Sequence, residues 1–118
     1  MAHFAELNDE NVVLRVIVVD NSDCGGGDFP ESEPIGVEFC SNLLGGKWIQ
    51  TSYNANFRKN YASVDYTFDK GRDAFIPPQP HENWVLDGET CKWIPPIPRP
   101  TDGDYLWNQE RGIWDKII

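Results

Sequence analysis

The sequence predicts a mainly β (α+β) protein: antiparallel hairpins with one short helix, followed by three proline-spaced β-hairpin repeats. Three observations carry this. The C-terminal half repeats itself in the segments 66–78 (YTFDKGRDAFIPP), 84–96 (WVLDGETCKWIPP) and 105–117 (YLWNQERGIWDKI). Seven of the nine prolines sit in or between these segments. A single stretch, near residues 32–44, has helical periodicity and helix end signals.

Each repeat opens with an aromatic, places an apolar residue two positions later and Asp or Asn one further, and reaches a second aromatic nine residues after the first. Such self-similarity outranks weaker local signals. The flanks (Tyr66, Thr67, Phe68; Trp84, Val85; Tyr105, Trp107) suit a pleated, half-buried surface. The centres are polar or Gly, where Asp and Asn bond their own backbone and Gly accepts positive φ. Each repeat therefore reads as a short hairpin with a loop of four or more residues. The framing aromatics, Tyr66 with Phe75, Trp84 with Trp93 and Tyr105 with Trp114, are expected to meet across the strands, with Trp107 beside the last pair. Pro77 to Pro80 and Pro95 to Pro100 then act as extended spacers, since proline fixes φ and removes a donor. The expected division is a compact N-terminal part, 1–65, and a tandem-hairpin part, 66–118.

In the N-terminal part, residues 3–20 read as another hairpin, turning at Asn8 to Asn11. Val12 to Val19 is nearly continuous in apolar residues, so it is expected to be the most buried strand, with Arg15 at an edge or paired to a carboxylate. Residues 21–28 (NSDCGGGD) read as a flexible loop. Its acids Asp20, Asp23 and Asp28 raise calcium, but their spacing matches no calcium loop, and a solvated loop is the better reading. Ser32 can cap a helix of about ten residues with Pro34 in its first turn. Ile35, Phe39 and Leu43 form its apolar stripe, with Cys40 and Leu44 beside it. Gly45-Gly46 stops it. Residues 47–53 follow as a strand with Trp48 inward, and 54–62 as an ordered loop.

Composition bounds the function. At 118 residues and 40% hydrophobic, the chain can build a modest core. A net charge of −9 argues against nucleic acid, because phosphate binding needs a basic face. The longest apolar run is far too short for a membrane span. The N-terminus lacks the basic and apolar regions of a signal peptide. Three cysteines, Cys24, Cys40 and Cys91, read as reduced thiols in a cytosolic setting.

No catalytic constellation emerges, and we expect a non-enzymatic protein with no cofactor and no metal. His3 and His81 sit in no motif; a Cys–His pair meets only in the fold, and nothing singles one out. Zinc would need close Cys/His pairs, and Cys24 to Gly27 lacks the lysine and helix start of a phosphate loop. Phe57, Arg58, Lys59 and Tyr61 form an aromatic and basic loop that can contact an acidic partner or a glycan, against the plainer reading of solvated charges. Residues 95–100, with Arg99, resemble ligands of SH3-type domains, although a spacer explains them better. Trp84, Trp93, Trp107 and Trp114 can stack sugars, but core is the stronger reading, because small hairpins have little else to bury.

Residues Gly45 to Tyr53 (GGKWIQTSY), Arg58 to Ala62 (RKNYA), Asp73 to Pro78 (DAFIPP) and Trp84 to Asp87 (WVLD) resemble, in that order, a family of small virion-associated proteins of unassigned role. These proteins are encoded by tailed phages infecting marine cyanobacteria. The likeness covers nearly the whole chain. The last two repeats more weakly resemble hairpin segments of phage tail and tail-fibre assembly proteins. The resemblance implies a phage origin and a virion or virion-assembly role for a protein made in the host cytoplasm. With a proline-spaced C-terminal part that can drape over neighbouring subunits, the first expectation is a capsid decoration or cement protein. Its partners would be major capsid or tail proteins, or further copies of itself as a homo-oligomer, with no nucleic acid and no membrane. The alternatives are a tail or tail-fibre component or fibre-assembly chaperone, and a host-directed interaction protein. No catalytic residues come with the likeness, and analogy of fold is a weak guide to function.

Overall fold

The computed structural model describes residues 1–117, and the chain divides into two compact units, Met1–Pro78 and Gln79–Ile118. Ile118, the last residue of the expected tandem-hairpin part, lies outside the described residues. The architecture is mainly antiparallel β hairpins with one helix.

In the first unit, β1 (Ala2–Leu7) is the centre of a three-stranded sheet, with β2 (Val13–Val19) and β3 (Lys47–Thr51) antiparallel on either side. Successive side chains point to opposite faces, and each face has its own core. Ala2, Phe4, Val19 and Trp48 pack with Cys24 and with Cys40 of helix α1 (Ser32–Leu44). Ala5, Leu7 and Val13 pack with Ala62, Phe68 and Phe75. Being covered on both faces, β1 buries four of its six residues.

The expectation that the second strand would be the most buried is thus corrected. β2 is an edge strand, with Leu14 50% and Val18 55% exposed. Burial follows sheet order, which apolar composition does not encode. The edge is blunted as natural edges are, by a bulge and by a charge. Leu7 pairs with Val13 but Glu6 with Arg15, and Arg15 Nε donates to Glu6 Oε1 at 2.7 Å.

Helix α1 also turns a different face inward than its periodicity suggests. Ser32, Gly36 and Cys40 are buried, whereas Ile35, Leu43 and Leu44 are exposed and Phe39 is half-buried. The cause is the ring of Phe4, which lies on Gly36. A Cβ there would stand 2.1 Å from Phe4 Cζ, so only the small-residue face lets the helix approach the sheet. Ser32 is no cap: Glu31 occupies that position without a side-chain bond, and Ser32 Oγ donates inward to Gln50 Oε1 at 2.8 Å. Gly45, at φ 70, ends the helix as expected. Asn21–Cys24 is one 3-10 turn capped by Asp20, whose carboxyl is held below its usual range by bonds from the Ser22 backbone and hydroxyl. Among the described residues no three metal-ligating side chains cluster.

The three hairpins are β4 (Thr67–Asp69) with β5 (Ala74–Ile76), β6 (Val85–Leu86) with β7 (Trp93–Ile94), and β8 (Tyr105–Asn108) with β9 (Ile113–Lys116). They share one register. The third residue of each repeat faces the tenth: Phe68 with Phe75, Leu86 with Trp93, Trp107 with Trp114. The opening aromatics Tyr66, Trp84 and Tyr105 therefore do not pair with the second aromatics, which corrects the expected framing. The fourth residue caps each turn, with Asp69, Asp87 and Asn108 accepting backbone N–H groups of the loop. The eighth is left-handed in all three: Asp73 (φ 50), Cys91 (φ 55) and Gly112 (φ 67). Of the loop glycines, only Gly112 uses the freedom expected of it; Gly71 and Gly88 stay at ordinary φ.

The division falls one hairpin later than the expected boundary at 65. Val12 bridges to Thr67, the Val13 N–H donates to Tyr66 O, and Phe68 and Phe75 (centroids 5.2 Å apart) enter the second core. The first repeat thus belongs to the N-terminal unit.

Gly36→Ala is expected to destabilise the protein by about 1–3 kcal/mol through overpacking against Phe4, read by urea denaturation. A loss inside about 0.5 kcal/mol, the range of surface substitutions, would show that helix and sheet are not in contact there.

Candidate functional site

Four candidates from the sequence share the loop after β3, and the structure sends them in different directions. Arg58 turns inward. Its guanidinium forks onto the carboxylate of Glu33 in the first turn of α1, with Nη2 to Oε1 at 3.0 Å and Nη1 to Oε2 in close contact. Nη1 also donates to Gln50 O at 2.9 Å, and Nε to Asp73 Oδ1 at 3.0 Å. The rings of Phe29 and Phe68 stand 5.0 and 5.3 Å from its Cζ. Burial alone would lower its pKa, but the bonds to Glu33 and Asp73 outweigh it and hold the charge. The expectation that Arg58 meets an acidic partner is therefore corrected: its acidic partners are internal.

Phe57 lies flat on Phe29, centroids 3.8 Å apart and 3° from parallel. Tyr61 packs edge-on to His3 and Tyr53. Lys59 alone of the four stays exposed. The loop holds left-handed backbone at Ala55 (φ 56), Arg58 (φ 57) and Lys59 (φ 66). Such positions cost of order 1 kcal/mol each and persist only where surroundings over-determine them. The bonds of Arg58 supply that constraint.

Beside this loop is a cleft of about 460 Å³, open on one side. It lies between the start of β1, the end of β3 with the residues after it, and the segment leading into α1. Its floor includes Gln50, 6% exposed, and Ser52, 7% exposed. Its walls include the Phe29–Phe57 pair and Tyr53, which is 66% exposed and stacks on His3 at 5.5 Å. Burial, then the positive N-terminus, lowers the pKa of His3, which favours its neutral form. The sequence reading found Phe57 here and missed Phe29, Gln50 and Tyr53; no spacing signal joins positions so far apart in the chain.

In the second unit, Trp84, Trp107 and Trp114 form one cluster, with centroids 5.2 to 6.2 Å apart and His81 at its side. The two hairpins therefore share an aromatic core, where the sequence suggested a separate one for each. Trp93 is half-buried and faces Leu86 across its hairpin, and Tyr105 donates its hydroxyl to Asp102 at 2.8 Å. Trp114 Nε1 donates to Ile97 O at 2.7 Å, and Arg99 lies 5.9 Å over the same ring. The proline segment is thus fastened to its own tryptophan, which favours the spacer reading over that of an SH3-type ligand. Trp84 Nε1 is buried and meets no acceptor among the described residues. All three thiols are buried; burial pushes Cys40 up to about 11 and also raises Cys24, opposite to what a nucleophile needs.

Comparison with protein-family models, with curated proteins and with solved structures finds no match to this chain.

Arg58→Ala is expected to cost about 3 kcal/mol, because it strands the partly buried carboxylate of Glu33. Lys59→Ala beside it should stay within about 0.5 kcal/mol. The double variant Glu33→Gln with Arg58→Met should be more stable than Arg58→Met alone in the same chemical denaturation. Equal effects at positions 58 and 59 would rule out the internal role.

Proposed function

We propose that this chain is a non-enzymatic structural protein of a phage virion, a capsid decoration or cement protein whose second unit docks on neighbouring capsid subunits. The observation that carries the reading is how little this unit encloses. Of its described residues, only Cys91 is buried, while Val85, Ile94, Ile97, Leu106 and Ile117 are 45 to 65% exposed. A unit of this size is below the length that a hydrophobic core stabilises without a staple or a partner. Val85 and Ile94 are cross-strand partners and Leu106 and Ile117 line one shallow pocket, and exposed apolar side chains of this kind suit a protein surface.

The chemistry of the partner follows. The prolines hold backbone groups outside any ladder, and the apolar residues of short hairpins offer anchors to a subunit lattice. The virion itself is supplied by the likeness of Gly45 to Tyr53 and Asp73 to Pro78 to small phage proteins.

Quantitative mass spectrometry of purified particles tests this. Many copies per particle are expected, and Leu106→Asp with Val85→Asp, both at exposed positions, should reduce incorporation at least tenfold without unfolding the free protein. A handful of copies would move the protein to the tail. Absence from washed particles would leave only a host-directed role.

A further inference from the structure

We propose that the cleft of the first unit is a binding site for a neutral saccharide ring. Three features of the site lead there, and none depends on the virion reading.

The first is a floor that holds unused hydrogen-bonding capacity. Gln50 Oε1 accepts from Ser32 Oγ, and its Nε2 amide makes no hydrogen bond to a described residue and is not among the enclosed unpaired atoms, so it is open to solvent at the cleft. Ser52 Oγ accepts from the Asn56 N–H at 2.9 Å and still has its own proton to give. Donors left over on a cleft floor are positioned for a ligand or for water. Asn54 and Asn56, at the same cleft, add exposed amides that both donate and accept. This mixture matches vicinal hydroxyls, which also do both.

The second is the walls. Tyr53 and the Phe29–Phe57 pair offer aromatic surface to a cleft whose floor is polar. A pyranose has this same division, with apolar C–H faces and a polar rim. Tyr53 keeps two thirds of its surface exposed and rests on His3, so a ring can lie on it without rearrangement.

The third is charge. The nearby guanidinium of Arg58 is already engaged by Glu33 and Asp73, so it does not recruit phosphate or carboxylate. Among the described residues, Asp28 is the sole acidic side chain of the lining, and the His3 ring favours its neutral form. The α-ammonium of Met1 also lines the cleft, so the lining carries one positive and one negative group and favours neither an anionic nor a cationic ligand. At about 460 Å³ the space holds one or two sugar rings, within the size range of ligand clefts.

The test is a titration of the full ¹⁵N-labelled chain followed by amide NMR. The probes are the methyl glycosides of glucose, galactose, mannose and N-acetylglucosamine, with adenosine and uridine as flat-ring controls. At least one glycoside is expected to give saturable shifts of the Gln50 side-chain amide and the Ser52 and Tyr53 backbone signals in the millimolar range. Tyr53→Ala should weaken that binding roughly tenfold, the scale of one lost ring contact. Asn54→Ala, also exposed, should weaken it several-fold, and Lys59→Ala should leave it unchanged. The proposal is overturned if no glycoside moves the Gln50 amide, if Tyr53→Ala binds as well as the parent, or if the nucleosides bind in preference. These outcomes are separate from particle incorporation, so either reading can fail alone.

Discussion

The first unit depends on how Arg58 closes the open edge of its sheet. A flanking strand presents backbone groups with no neighbour. At Gln50 those groups are met by side chains: the N–H donates to Glu33 Oε2 at 2.8 Å, and the carbonyl accepts from Arg58. The same guanidinium holds Glu33 at the start of α1 and Asp73 in the first hairpin loop. One side chain therefore ties together a strand edge, a helix start, a loop and a hairpin. A planar fork does this where an ammonium would not, because its donors leave in fixed directions. The position of Gln50, and with it the cleft floor, follows from that network. Glu33 also sits where the helix dipole favours a negative charge.

The hairpin repeat shows how one local pattern reaches two tertiary outcomes. Register, turn cap and left-handed eighth residue are common to all three copies. Those features come from local chemistry: an Asp or Asn that caps the turn and a short loop that sets the pairing. The burial differs. The first copy has Phe at its paired positions and enters a core built by β1 and β2, while the other two meet through tryptophans. There, large rings substitute for an aliphatic core, and the Trp84 indole N–H meets no acceptor among the described residues. Leaving such a donor without an acceptor costs about 1–3 kcal/mol, which ring packing must offset. The proline segment has its own anchor in the Trp114–Ile97 bond.

The two units thus offer different surfaces. One has a concave site with a polar floor and aromatic walls; the other has short strands with exposed apolar side chains. Small-molecule recognition suits the first and protein contact suits the second, because a ring-sized solute needs enclosure while a subunit surface can cover flat apolar patches.

Much of the fold was legible in the residues. Aromatic flanks around polar centres marked the hairpins, Gly45 marked the helix end, and Trp48 marked the inward face of β3, since each is a local signal acting over a few positions. What failed were the readings that needed a partner from elsewhere in the chain. The stripe of Ile35 and Leu43 gave way to Gly36 because Phe4 needed the room. The valine-rich strand became an edge because β1 took the centre. Arg58 looked available because Glu33 and Asp73 lie 25 and 15 positions away. The sequence by itself determined the elements and their turns, through interactions within about ten residues. Only the tertiary structure decided which faces are buried, which charges are consumed and that a cleft exists, because those depend on which distant side chains compete for the same space.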